Sequence, residues 1–163
     1  MREQKLNKSL AILGFILLLI LTYFRENLLL EVNALINKDV TNRAYSYWFY
    51  TFFKHKTVGS LIVWKWGITL SFSITMASLT IGSLYSWFKN KPFLKLLVII
   101  YLSTFAFIVM LAGLGFITNQ FDSIYPVLRK LLGVIQSPIP FFSLFLLIYW
   151  VKNNEGFKIN NIQ

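Results

Sequence analysis

The chain of 163 residues is 56% apolar and 18% aromatic, and only 13% of it is charged. A soluble domain of this length cannot hide so much apolar surface, so lipid must take the place of water around it. Sixteen Lys and Arg against six acidic residues give +10, yet the cations sit beside the ends of apolar blocks, where anionic headgroups and orientation on insertion account for them, and no basic stripe with exposed stacking aromatics points to nucleic acid.

The apolar residues fall in four blocks instead of the short alternating runs expected of a barrel, so helices are the economical reading, and the pattern predicts an all-α, polytopic membrane protein of four transmembrane helices. No repeat or low-complexity linker divides the chain, so residues 1–163 form one domain. Met1 to Leu21 has the basic start and apolar middle of a secretory signal. Thr22-Tyr23-Phe24-Arg25 stands where a small-x-small cleavage site would follow, so the segment reads as a retained anchor.

The first span begins near Ser9. Leu10 to Phe24 supplies only about fifteen apolar or neutral residues where about twenty are needed, so the helix is expected to continue through Arg25, Glu26 and Asn27 to Leu30. From Glu31 to Lys56 comes the longest region outside a span, an aromatic-rich loop between the first two transmembrane helices. Its residues Tyr47, Trp48, Phe49, Tyr50, Phe52 and Phe53 are expected to form an interfacial belt, with Arg43, Lys54 and Lys56 against lipid phosphates, or a docking surface for another membrane protein.

The second span runs from Ser60 to Phe88. At helical spacing, Gly67, Ser71, Thr75, Ser78 and Gly82 share one stripe, while Lys65, Thr69, Ser73, Met76, Thr80 and Ser83 share another roughly opposite. Small residues let helix backbones approach closely in lipid, so this helix is expected to be packed on both sides at the bundle centre. Lys89-Asn90-Lys91-Pro92 makes a tight basic turn into the third span, Phe93 to Ile117, where Ser103, Ala106, Met110 and Gly113 form another packing face. The fourth span, Leu131 to Val151, contains Gln136-Ser137-Pro138-Ile139-Pro140, whose prolines kink it and free carbonyls that need a partner in protein or water. Arg2, Lys5, Lys8, Lys89, Lys91, Lys95, Lys152 and Lys158 cluster close to span ends and favour a cytoplasmic location for both termini and the second turn.

Chemistry-bearing residues are few. There is no cysteine, which excludes disulfides, thiolate metal sites and a cysteine nucleophile. His55 is the only histidine and, between Lys54 and Lys56, reads as a surface residue. The acidic residues form no pair at metal or glycosidase spacing, and Gly-rich phosphate loops and the H-E-x-x-H pattern are missing. No catalytic residue, metal or cofactor is expected. What remains is a set of groups near span ends, Arg25, Glu26, Lys65, Arg129, Lys130 and Gln136, which are candidate partner- or substrate-binding residues. Snorkelling of the cations to water is the plainer account of their presence. Arg129 and Gln136 are seven apart and share a helix face that could point into the bundle.

The same residues resemble a known family. Phe24-Arg25-Glu26-Asn27 closing the first span, Lys65 early in the second before a Ser-rich apolar run, and Tyr125 with Arg129-Lys130 ahead of Gln136 and Pro138 are similar to the small membrane protein found with exosortase F, a transpeptidase-like sorting enzyme of Bacteroidetes, or to a sister family accompanying another exosortase type. The resemblance implies a non-catalytic accessory subunit of a protein-sorting or surface-export system in the bacterial inner membrane, with membrane lipids and an exosortase-type enzyme as partners and the nucleophile supplied by that enzyme. The residues alone leave open a small transporter or lipid-binding subunit, in which Lys65, Arg129 and Gln136 line a path for an anionic substrate.

Overall fold

The computed structural model describes residues 2–38 and 47–160 of the chain, with backbone alone for 2–5, 47–48 and 155–160. The described residues form six helices and no strand: α1 (Arg2–Asn37), α2 (Tyr47–Phe53), α3 (Val58–Phe88), α4 (Lys91–Ile117), α5 (Phe121–Ile135) and α6 (Ile139–Asn160). Three of them, α1, α3 and α4, are long and apolar enough to cross a membrane, and the broken pair α5 and α6 supplies a fourth crossing if it acts as one span. The protein is a polytopic helical membrane protein. Arg43 and the start of the aromatic segment lie outside the described residues, as do the side chains of Arg2, Lys5, Tyr47, Trp48 and Lys158.

Local chemistry explains the breaks between helices. Thr57 caps α3 by accepting from the Ser60 N–H at 3.3 Å. At the other end, Lys89 takes the left-handed conformation with φ 51° and donates its N–H to the Tyr85 carbonyl. Asn90 then caps α4 by accepting from the Phe93 N–H, and Pro92 sits in the first turn, where its missing donor costs nothing. Between α4 and α5, Asn119 is left-handed with φ 54°, and Gly115 lets the chain fold back. A Cβ there would lie 3.3 Å from both Phe121 Cα and the Phe121 ring.

Three sequence expectations are corrected. The fourth span is not one kinked helix. Ser137-Pro138 ends α5 and starts α6, and the two helices meet at a bend of 57°. Pro138 has no N–H to continue the ladder, and Ser137 Oγ takes over both loose ends, donating to the Val134 carbonyl and accepting from the Ile139 N–H. Nor is the aromatic segment only a loop. Tyr47–Phe53 is a short helix whose Phe53 is buried against Val32 and Leu61, joining it to α1 and α3, while Phe52 remains exposed.

The third correction concerns α3. It is packed along the stripe that contains Ser73, Met76, Thr80 and Ser83, all buried, whereas Gly67, Ser71, Thr75, Ser78 and Gly82 face outward. The deciding contact is with α1, the most extensive helix pairing in the molecule. Gly14 of α1 lies directly against Ser83, and any side chain at 14 would meet the Ser83 hydroxyl. On α4, too, Ser103, Ala106 and Met110 are exposed instead of packed. The α4 contact with the rest of the bundle runs through Leu97, Tyr101 and Ile108.

Candidate functional site

Helices α1, α3 and α5 enclose an open recess of about 290 Å³. Each helix contributes through its own periodicity. On α1, Arg25, Leu29 and Asn33 recur every four residues, with Glu26 and Leu30 beside them. On α3, Lys65 and Thr69 are four apart next to Trp66, and on α5, Tyr125, Leu128, Arg129 and Leu132 form one face that ends at Gln136.

The recess therefore gathers five of the residues singled out from sequence, Arg25, Glu26, Lys65, Arg129 and Gln136, from segments far apart in the chain. Lys130 is not among its walls; it is exposed on another side of α5. Trp66, Asn33 and Thr69 were missed by reading for charge. The available signal is helical register with the charges: Asn33 is eight residues from Arg25, Thr69 four from Lys65, and Trp66 beside Lys65.

The charges are unevenly satisfied. Arg25 is half-buried, its Nε is buried without a hydrogen-bond partner among the described residues, and its guanidinium lies within electrostatic range of both Glu26 and Arg129. The Lys65 ammonium sits 5.6 Å from the centre of the Tyr125 ring, a cation–π distance, and that ring in turn meets Trp66 edge-on at 6.2 Å. With Arg25, Lys65 and Arg129 positive and Glu26 negative, the lining carries a net excess of two positive charges.

Gln136 has a different role from the cations. It is 1% exposed. Its side-chain Nε2 donates to the Thr69 carbonyl at 2.7 Å and to Ser73 Oγ, so both its donor hydrogens are spent inside the protein. Gln136 fixes the end of α5 to α3 and forms the floor of the recess; the amide has no N–H left for a ligand.

A second cavity of about 360 Å³ lies between α1, α3 and α6, lined by Phe15, Trp87, Phe141, Phe142 and other apolar side chains. Phe15 stacks on Phe141 at 5.0 Å and meets Phe142 edge-on at the same distance. Lys8 lies 5.6 Å from the Trp87 ring. Glu31, which the sequence did not single out, is 2% exposed on α1. His55 is exposed after α2, and no group of three His, Cys, Asp or Glu side chains comes together among the described residues. Comparison with known protein families, with curated proteins and with solved structures finds no match to this chain.

Proposed function

We propose that this chain is a non-catalytic membrane protein that acts by binding a membrane partner, and that the partner is an exosortase-type sorting enzyme in a bacterial inner membrane. One observation carries the partner reading: the stripe Gly67, Ser71, Thr75, Ser78 and Gly82 faces outward along α3, and among the described residues nothing beyond the adjoining residues and backbone of α3 itself lies within 4 Å of a Cβ built at Gly67 or Gly82. Lipid tails gain little from small residues and hydroxyls, whereas a second helix can approach closely there. The resemblance of the Phe24-Arg25-Glu26-Asn27 and Arg129-Lys130 segments to exosortase-associated proteins names the partner class. In that setting both termini, with Lys8, Lys89, Lys91 and Lys152, lie on the cytoplasmic side.

The test is coexpression with an exosortase-type sorting enzyme, followed by purification in mild detergent. Co-purification is expected, and G67L/G82L should abolish it while leaving a folded chain. A protein that emerges alone in both forms counts against the reading.

A second reading, a small transporter or lipid-binding subunit, is favoured by the recess, where Lys65 and Arg129 come together over the Gln136 floor. Neutralising both cations should then abolish ligand binding or transport without loss of assembly, and unchanged flux would remove that reading.

A further inference from the structure

We propose that the recess between α1, α3 and α5 binds a phosphate group carried by a membrane lipid. This rests on the ligand-binding reading of the recess and is independent of the partner reading.

The charge chemistry points to phosphate. Arg25, Lys65 and Arg129 come from three different helices and line one volume, so they offer donors from three sides. A phosphomonoester has three equivalent oxygens and a charge between about −1.5 and −2 near neutral pH, matching both the three-sided arrangement and the net excess of two positive charges. A carboxylate has two coplanar oxygens and would leave one cation unengaged. Arginine's planar fork suits phosphate, and Arg25 keeps a buried Nε without a partner among the described residues.

The walls point to a lipid. Leu29, Leu128 and Leu132 line the same recess, and Leu30 is half exposed at its edge. A soluble anion has no use for this apolar lining, while the first carbons of a lipid chain do. The depth agrees as well. Along α1, Arg25 lies about 25 Å of helical rise from Lys8, and along α3, Lys65 lies about 36 Å from Lys89. With Lys8 and Lys89 at one membrane face, the recess falls at the other end of a hydrocarbon core of about 30 Å, at the level of headgroup phosphates.

The full chain, purified in a neutral detergent, would be titrated in native mass spectrometry with phosphatidic acid, oleate and phosphatidylcholine, and separately with inorganic phosphate. Phosphatidic acid is expected to be retained about tenfold more tightly than the other two lipids. R25Q/R129Q should weaken it about twenty-five-fold, and K65Q about fivefold, at roughly one cation's attraction each. K89Q/K91Q, at the opposite end, should change nothing. The lipid comparison on the unsubstituted chain needs no variant to fold, and K65Q carries the site test if R25Q/R129Q does not fold. Equal retention of phosphatidylcholine, or an equal loss in K89Q/K91Q, would overturn the proposal. Oleate bound as tightly as phosphatidic acid would overturn the phosphate assignment while leaving anion binding at the recess intact, and no retention of any anion would overturn both. Displacement of the lipid by millimolar inorganic phosphate would assign the site to a soluble phosphate and remove the lipid as its source.

Discussion

The side-chain amide of Gln136 donates to Ser73 Oγ, joining the end of α5 to the middle of α3, and Ser73 Oγ in turn donates to the Thr69 carbonyl at 2.8 Å. Because Gln136 also reaches the Thr69 carbonyl at 2.7 Å, three polar groups close on one another around an amide that is 1% exposed. The substitution Gln136→Leu breaks both links at once. Interhelical hydrogen bonds within membranes average only about 0.6 kcal/mol and reach about 1.7, so Q136L should cost about 1–2 kcal/mol and S73A about half of that. In a double-mutant cycle followed by SDS unfolding, the coupling between the two positions should be about 0.5–1 kcal/mol. Strict additivity would show that the hydrogen bond contributes nothing.

The approach of α1 to α3 at Gly14 gives a second, sterically defined expectation. A Cβ at 14 would overlap the Ser83 hydroxyl and lie 3.2 Å from Ser83 Cβ. Serine is short and its backbone is held in the helix, so little can move aside. G14A should therefore destabilise the chain by about 1–3 kcal/mol, the usual cost of overpacking. S83G should recover most of that loss when combined with it. G82A, with open space around its Cβ, should be neutral or slightly stabilising, as alanine favours a helix over glycine. Thermal midpoints of the three variants in one detergent would check the ordering.

This contact also explains how far the fold could be read from the residues. The crossings, and the turn at Lys89-Asn90-Lys91-Pro92, are written in local sequence, because hydropathy, a left-handed cap and an N1–N2 proline act within a few positions. Which stripe of α3 faces inward is not local. Both stripes are rich in small residues and hydroxyls, Gly, Ser and Thr in one and Ser and Thr beside Lys65 and Met76 in the other, and in lipid an outward face need not be more apolar than an inward one, so composition does not rank them. Gly14, some seventy positions earlier in the chain, decides. The candidate site shows the same division: ionisable and amide groups near span ends mark Arg25, Lys65, Arg129 and Gln136 in the sequence, but Gln136's engagement with Thr69 and Ser73 depends on how α5 packs against α3, a contact between segments more than sixty positions apart.

Tyr101 offers a substitution that should not harm the protein. Its side chain is 5% exposed in the contact of α4 with α3, and its hydroxyl lies toward Thr80 but makes no hydrogen bond of ordinary geometry among the described residues. A buried hydroxyl left unpaired costs about 1–3 kcal/mol, and in a hydrocarbon surrounding no water offsets that. Tyr101→Phe keeps the ring and removes the unpaired group, so the thermal midpoint should stay the same or rise. A drop of several degrees would mean that the hydroxyl holds a partner on the membrane side.

Phe52 and Phe53 are adjacent on α2 and should respond in opposite ways. Phe53 is 3% exposed between Val32 and Leu61, with its ring 5.9 Å from Trp64, while Phe52 is 56% exposed. If the aromatic segment served only as an interfacial belt, both rings would sit in headgroups and both alanine substitutions would weaken membrane partitioning with little effect on the fold. The packing gives a different outcome. F53A removes a ring that joins α2 to α1 and α3 and should cost about 3 kcal/mol, the scale of a phenylalanine lost from a packed interior. F52A should cost under about 1 kcal/mol and instead shift the fluorescence of the indole it meets edge-on at 5.8 Å. Unfolding midpoints and tryptophan emission, measured on the same two samples, separate the alternatives. Equal, small stability losses would place the whole helix in the headgroup layer with no structural attachment to the bundle.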